Sequence, residues 1–261
     1  MPANGSAVEL VFPVPSPIPI YSLSFSRLLT RIKDHQRYGS GFRKNGSRPW
    51  QRGSGFMLRF KVHLETPHKR SIRKAVEALQ NGQLIIYPTD TVYGIGCSLY
   101  EKKAIERLYQ IKGKSKHEPM SIICNSIRQA SRYARISTAA FRLLKRCFPG
   151  PYTIILEASQ EIPRLLLTSR KEVGIRIPDS PVCQELIDQF GPPVVNSSVN
   201  QRPDELLNEP DDIAARYGKV VDVMLDAGPL PDARESTVLK IIDDEVEIIR
   251  EGKGDLQRLY L

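Results

Sequence analysis

From 71 to 79 the apolar residues Ile72, Ala75, Val76 and Leu79 fall on one face of a helix, and Asn81-Gly82 supplies a C-terminal stop. The period then changes. Leu84-Ile85-Ile86-Tyr87 is an unbroken apolar run of strand length, ended by Pro88 and followed by a hydroxyl- and glycine-rich stretch that reads as a loop, Thr89 to Gly96. Ala104, Ile105, Leu108 and Ile111 restore the helical spacing up to Gly113. A strand is predicted over 120–124 and a helix over 138–147, stopping before Pro149. Strand-like runs recur at 153–156, 173–177, 194–195, 220–224, 237–242 and 246–249, and helices fit 181–189 and 210–217.

Strands alternating with helices predict an α/β layer fold around a twisted, largely internal sheet. Only Asp243-Asp244-Glu245 separates the last two strands, which makes them a hairpin and the sheet mixed. Gly94-Ile95-Gly96 lacks the third glycine of a dinucleotide fingerprint, so a Rossmann site is not expected.

The chain has 261 residues, 41% of them hydrophobic, enough for one core and a single domain over 57–261. No apolar run approaches the roughly 20 residues that cross a bilayer, so no membrane partner is expected. Four scattered cysteines without a C-x-x-C pair argue against a structural zinc site and a disulfide framework and suit a reducing compartment. The net charge of +9 is uneven: residues 1–62 hold ten Lys/Arg against Glu9 and Asp34, and the rest is nearly neutral. The high pI therefore belongs to residues 1–56, a leader rich in Ser, Gly, Pro and Arg. It has the composition of a chloroplast or mitochondrial transit peptide. The alternative is a disordered basic arm on a cytoplasmic protein, able to touch RNA.

Candidate chemistry begins beyond the second helix, where Lys112, Lys114 and Lys116 alternate in Ile-Lys-Gly-Lys-Ser-Lys. Cations so spaced suit phosphate, or form a solvated surface. Ser198 and Asn200 follow an apolar run, and strand alternation would put both on one face, either against a ligand or in ordinary turn chemistry. Arg176 lies between Ile175 and Ile177 in a strand-like run. A guanidinium buried there needs an anion, either a structural carboxylate or that of a substrate.

Taken in order, Pro88-Thr89-Asp90-Thr91-Val92-Tyr93-Gly94-Ile95-Gly96, Ile111-Lys112-Gly113-Lys114, Phe148-Pro149-Gly150-Pro151-Tyr152-Thr153, Val173 to Pro178, Asn196 to Asn200, Ser236-Thr237-Val238 and Arg250-Glu251-Gly252 resemble the YrdC-like family, which includes the threonylcarbamoyl-AMP synthases. The resemblance spans roughly residues 58 to 255. It implies a single α/β domain with a twisted mixed sheet and a basic-lined cavity. It also implies a nucleotidyltransferase-type reaction of L-threonine, bicarbonate and ATP (with Mg²⁺) to threonylcarbamoyl-AMP and pyrophosphate, for tRNA threonylcarbamoyladenosine modification. On this resemblance Lys112, Lys114, Ser198, Asn200 and Arg250 are ATP-binding, and Thr91, Tyr93, Arg176 and Ser236 threonine-binding. No catalytic nucleophile and no protein-bound metal are assigned.

The chain departs from the family pattern at Lys114, where Arg is usual, and at Glu118, Glu172 and Ile123, where Asn, Thr and a histidine of some members would stand. These changes make it most similar to the YciO-like branch. The alternative function is a double-stranded-RNA or nucleotide-binding module without synthase activity, using the lysine run with Arg128, Arg132 and Arg135.

Overall fold

The computed structural model describes residues 56–115, 118, 120–167, 169–202 and 205–260. The expected leader, apart from Phe56, and Lys116 lie outside the described residues.

The elements run β1 (Leu58–Lys61), α1 (Lys69–Gln80), β2 (Ile85–Tyr87), β3 (Gly94–Ser98), α2 (Lys102–Lys112), β4 (Ser121–Ile123), α3 (Ile127–Ala130), α4 (Thr138–Cys147), β5 (Tyr152–Glu157), β6 (Glu172–Arg176), α5 (Pro181–Phe190), β7 (Val194–Ser198), α6 (Pro210–Tyr217), β8 (Val223–Asp226), β9 (Thr237–Ile242) and β10 (Glu245–Arg250). The strands form one sheet in the order β1-β8-β2-β3-β7-β4-β6-β5-β9-β10. Parallel pairs (β1 with β8, β8 with β2, β4 with β6, β5 with β9) mix with antiparallel ones, as the hairpin at 243–245 requires.

Helices pack on both sides of β2, so it is buried on each side and reads as a continuous apolar run. Ile85 and Tyr87 pack with Ile72, Leu79, Val182 and Leu186 of α1 and α5. Their neighbour Ile86 faces the other layer with Ile95, Leu108 and Leu144. This is the period-two alternation of a strand, and each fully buried side chain of this size contributes about 1.5–3 kcal/mol.

One reading needs correction. Residues 94–96, expected in a loop, belong to β3, antiparallel to both β2 and β7. Glycine permits the close approach: a Cβ at Gly96 would stand 2.5 Å from the Val195 carbonyl oxygen, and one at Gly94 2.5 Å from Asn196 Oδ1. The signature thus forms a hairpin, with only 88–93 left as the connecting loop. β1, not anticipated as a strand, is held at the sheet edge by Arg59 and Lys61, which reach the fully buried Asp226 at 2.5 and 2.7 Å. Among the described residues no helix is long and apolar enough to cross a membrane.

Candidate active site

A cleft of about 540 Å³ is lined by the C-terminal end of α2, strands β4, β5, β6 and β7, and the β9–β10 hairpin. Its lining carries Lys112, Lys114, Arg176, Arg202 and Arg250 against two carboxylates, Glu118 and Glu235.

At one end α2 stops at Gly113, whose φ of +60° is the left-handed conformation that glycine adopts without strain. The turn brings both Lys112 and Lys114 to the cleft wall. Lys112 Nζ donates to the carbonyls of Ser198 at 2.7 Å and Asn200 at 2.5 Å, tying α2 to the end of β7. Burial, helped by the charge of Lys114, pushes the Lys112 pKa down to about 8. Glu118 also lines this end, and its Oε1 accepts the Ser115 N–H at 3.0 Å.

Ser198 and Asn200 both line the cleft, yet not as two positions on one strand face. β7 ends at Ser198, and the chain turns there, the Ser198 hydroxyl accepting the Asn200 N–H at 3.0 Å. Asn200 Oδ1 then accepts the Leu207 N–H at 2.9 Å, and Nδ2 approaches Glu235 at 3.4 Å. The turn chemistry foreseen for these residues is what places them. Arg202, two residues on, was missed by the sequence reading; its only signal was that it follows the Ser-x-Asn pair.

At the other end Arg176 closes β6 and is buried. Its Nη2 donates to Thr91 Oγ1 at 2.9 Å and to Asp90 Oδ1 at 3.2 Å, while Nε is buried without a partner. The anion demanded by this arginine is therefore Asp90 of the first motif. Asp90 is itself fixed, Oδ2 by the Asp179 N–H at 3.0 Å and its carbonyl by Lys253 Nζ at 2.9 Å. Thr91 Oγ1 also lies 3.0 Å from Thr89 Oγ1.

Ser236 and Arg250 meet across the final hairpin as their spacing suggests. Arg250 Nη2 donates to the Ser236 carbonyl at 2.9 Å, and Ser236 Oγ lies 2.9 Å from Thr153 Oγ1. Arg250 Nη1 is ion-paired with Glu235, a cleft carboxylate that the sequence reading passed over although it adjoins Ser236.

Tyr93 does not join this group. It is fully buried, and its hydroxyl donates to the Gly228 carbonyl at 2.7 Å and accepts the Ala227 N–H at 2.9 Å. Strand alternation would put Thr91 and Tyr93 on one side, but both lie in the 88–93 loop, where Thr91 turns to the cleft and Tyr93 to the core. Two departures also lie outside the cleft. Glu172 pairs with Lys240 at 2.7 Å, and Ile123 packs in the apolar cluster under α1 and α5. All four cysteines are free and buried, and burial pushes their pKa values up.

Residues 77–252 match the Sua5/YciO/YrdC family model, described as "Telomere recombination". YciO of Escherichia coli is 35% identical over 200 residues, 76% of this chain and 97% of that protein. Its crystal structure superposes with a TM-score of 0.73, covering 78% of this chain and 99% of YciO. A putative threonylcarbamoyl-AMP synthase of Methanocaldococcus jannaschii is 32% identical, over 75% of this chain and 92% of its own. The P. abyssi Sua5 structure, complexed with L-threonine, has a TM-score of 0.70 at 27% identity and covers 75% of this chain and 58% of Sua5. The motifs, the mixed sheet and these matches agree: the chain belongs to the Sua5/YciO/YrdC family.

Proposed function

We propose that this chain is a threonylcarbamoyl-AMP synthase-like nucleotidyltransferase. L-threonine and bicarbonate condense to a carbamate with loss of water, and the carbamate oxygen attacks the α-phosphorus of ATP, releasing pyrophosphate. The product would serve tRNA threonylcarbamoyladenosine modification. ATP enters with its Mg²⁺. Lys112, Lys114 and Arg250 supply cations for the phosphates, and such a reaction needs positioning and charge neutralisation rather than a protein nucleophile. Arg176, with Thr91 and Ser236, supplies donors for the amino-acid end.

The observation that carries this reading is that Arg176, Thr91 and Ser236 line the same cleft as Lys112, Lys114 and Arg250. This sets a guanidinium and two hydroxyls for a carboxylate beside three cations for phosphates, within one cavity. The concave arrangement favours a small ligand over an RNA backbone, which needs an open basic surface. The test is pyrophosphate release by the full-length chain with ATP and Mg²⁺. Release that needs both L-threonine and bicarbonate is expected. Release independent of threonine would move the assignment to another carbamate precursor, and none at all would leave the binding-module alternative.

A further inference from the structure

A second cavity of about 580 Å³ shares no lining residue with the cleft. Its apolar lining comes from Phe141, Phe148, Pro149, Ile177, Pro178 and Pro181. Phe141 is 45% exposed, a large apolar side chain that α4 does not turn into its own core face of Ala140, Leu143, Leu144 and Cys147. Lys145 lies one helical turn after Phe141 and also lines the groove, as does Arg128 at the start of α3. Neither cation has an ion-pair partner among the described residues, and the only carboxylate lining the groove is Asp179. The three prolines fix the backbone of the walls, so the groove needs little ordering to receive a ligand.

We propose that this groove is a second ligand site, for a small amphipathic anion. Its apolar body lies on Phe141, Phe148 and Pro178, and its carboxylate, sulfonate or phosphate head meets Arg128 and Lys145. A concave, mainly apolar cavity with a few convergent polar groups is the usual form of a small-molecule site, and the cation excess at its rim sets the sign of the head group. The cleft, lined by hydroxyls, amides and five cations, takes a different chemistry, so this site does not rest on the synthase reading.

The probe is 1-anilinonaphthalene-8-sulfonate, an aromatic body with one anionic head, titrated into the full-length chain and followed by fluorescence. Saturable binding of one equivalent is expected. Phe141→Asp and Arg128→Glu should each weaken it by about tenfold or more, with thermal melts confirming that both variants fold. Sodium decanoate should displace the dye, and decyltrimethylammonium should need at least about tenfold more. Non-saturable binding, displacement by both at equal concentration, or an affinity that falls with Lys112→Ala and not with Phe141→Asp overturns the proposal; the last result would put the dye in the cleft.

Discussion

The Lys112 ammonium and the Ser198 carbonyl, 2.7 Å apart, join the end of α2 to the end of β7. With the Asn200 carbonyl taking a second N–H, one of the three ammonium donors is left for a ligand. Because burial lowers its pKa to about 8, this cation discharges within an accessible range. ATP affinity should be level below pH 7.5 and fall by roughly tenfold at pH 9, as protonation is lost through a pKa near 8. Lys112→Arg should flatten that profile. The stability sign is opposite: the folded pKa lies below the unfolded value, so the unfolded chain binds more protons between about pH 8 and 10.5, and this group adds stability as pH rises through that window. Calorimetric ATP titrations from pH 6.5 to 9 check the binding, and urea melts the stability.

Glu235 occupies Arg250 and reaches Asn200, two groups otherwise open to an anion. Glu235→Gln should therefore tighten phosphate and pyrophosphate binding by about three- to tenfold by removing a competing charge. Weaker binding would mean that Glu235 serves to hold Arg250 in place. The sign of the change, read by calorimetry, decides between the two.

Asp90 is the counter-charge of a buried guanidinium, the two side chains being 8% and 7% exposed. Asp90→Ala leaves Arg176 unpaired and removes the acceptor of the Asp179 N–H, and should destabilise the fold by about 3–5 kcal/mol in urea unfolding. A loss under about 1 kcal/mol would mean that water already screens the pair.

Gly96→Ala should cost about 2–3 kcal/mol, since its Cβ would meet the Val195 carbonyl at 2.5 Å and Val194 Cγ1 at 2.7 Å. An unchanged melting temperature would contradict the tight β3–β7 approach.

Lys114 offers a point charge where the family pattern has a two-pronged guanidinium. Lys114→Arg should preserve or raise product formation, and adding Glu118→Asn should raise it further by removing a carboxylate from the phosphate end. Absence of product from all three proteins, folded and with Mg²⁺ present, would exclude the synthase reading.

The helices were legible where an apolar face keeps one period, and 138–147 was read to the residue, whereas the single turn of α3 at Ile127–Ala130 is too short to show a period and was not anticipated. β3 was not, because Gly94-Ile95-Gly96 carries loop composition: its strand conformation is imposed by neighbours on both sides rather than by its own side chains. β1 was passed over because Arg59 and Lys61 break the apolar run, and their reason, Asp226, lies 165 or more positions away in the chain. The cleft cations at 112, 114, 176 and 250 could be named from motifs. The role of Asp90 as the partner of Arg176 and the turning inward of Tyr93 could not, since both depend on which way a short loop rolls between two strands.

The order of strands in the sheet also bears on how the molecule is made. β1 has β8 as its neighbour, and β2 meets β1 only through β8, so the first strand among the described residues waits for residues 223–226 before it has a place. The loop that holds Asp90 likewise waits for Lys253. On a ribosome that releases the chain from its N-terminus, the central strands can assemble first, but the cleft cannot be complete until residues 235–253 have emerged. A nascent chain stalled before β8 would hold six paired strands, β2 to β7, an unplaced β1 and a cleft without its β9–β10 wall.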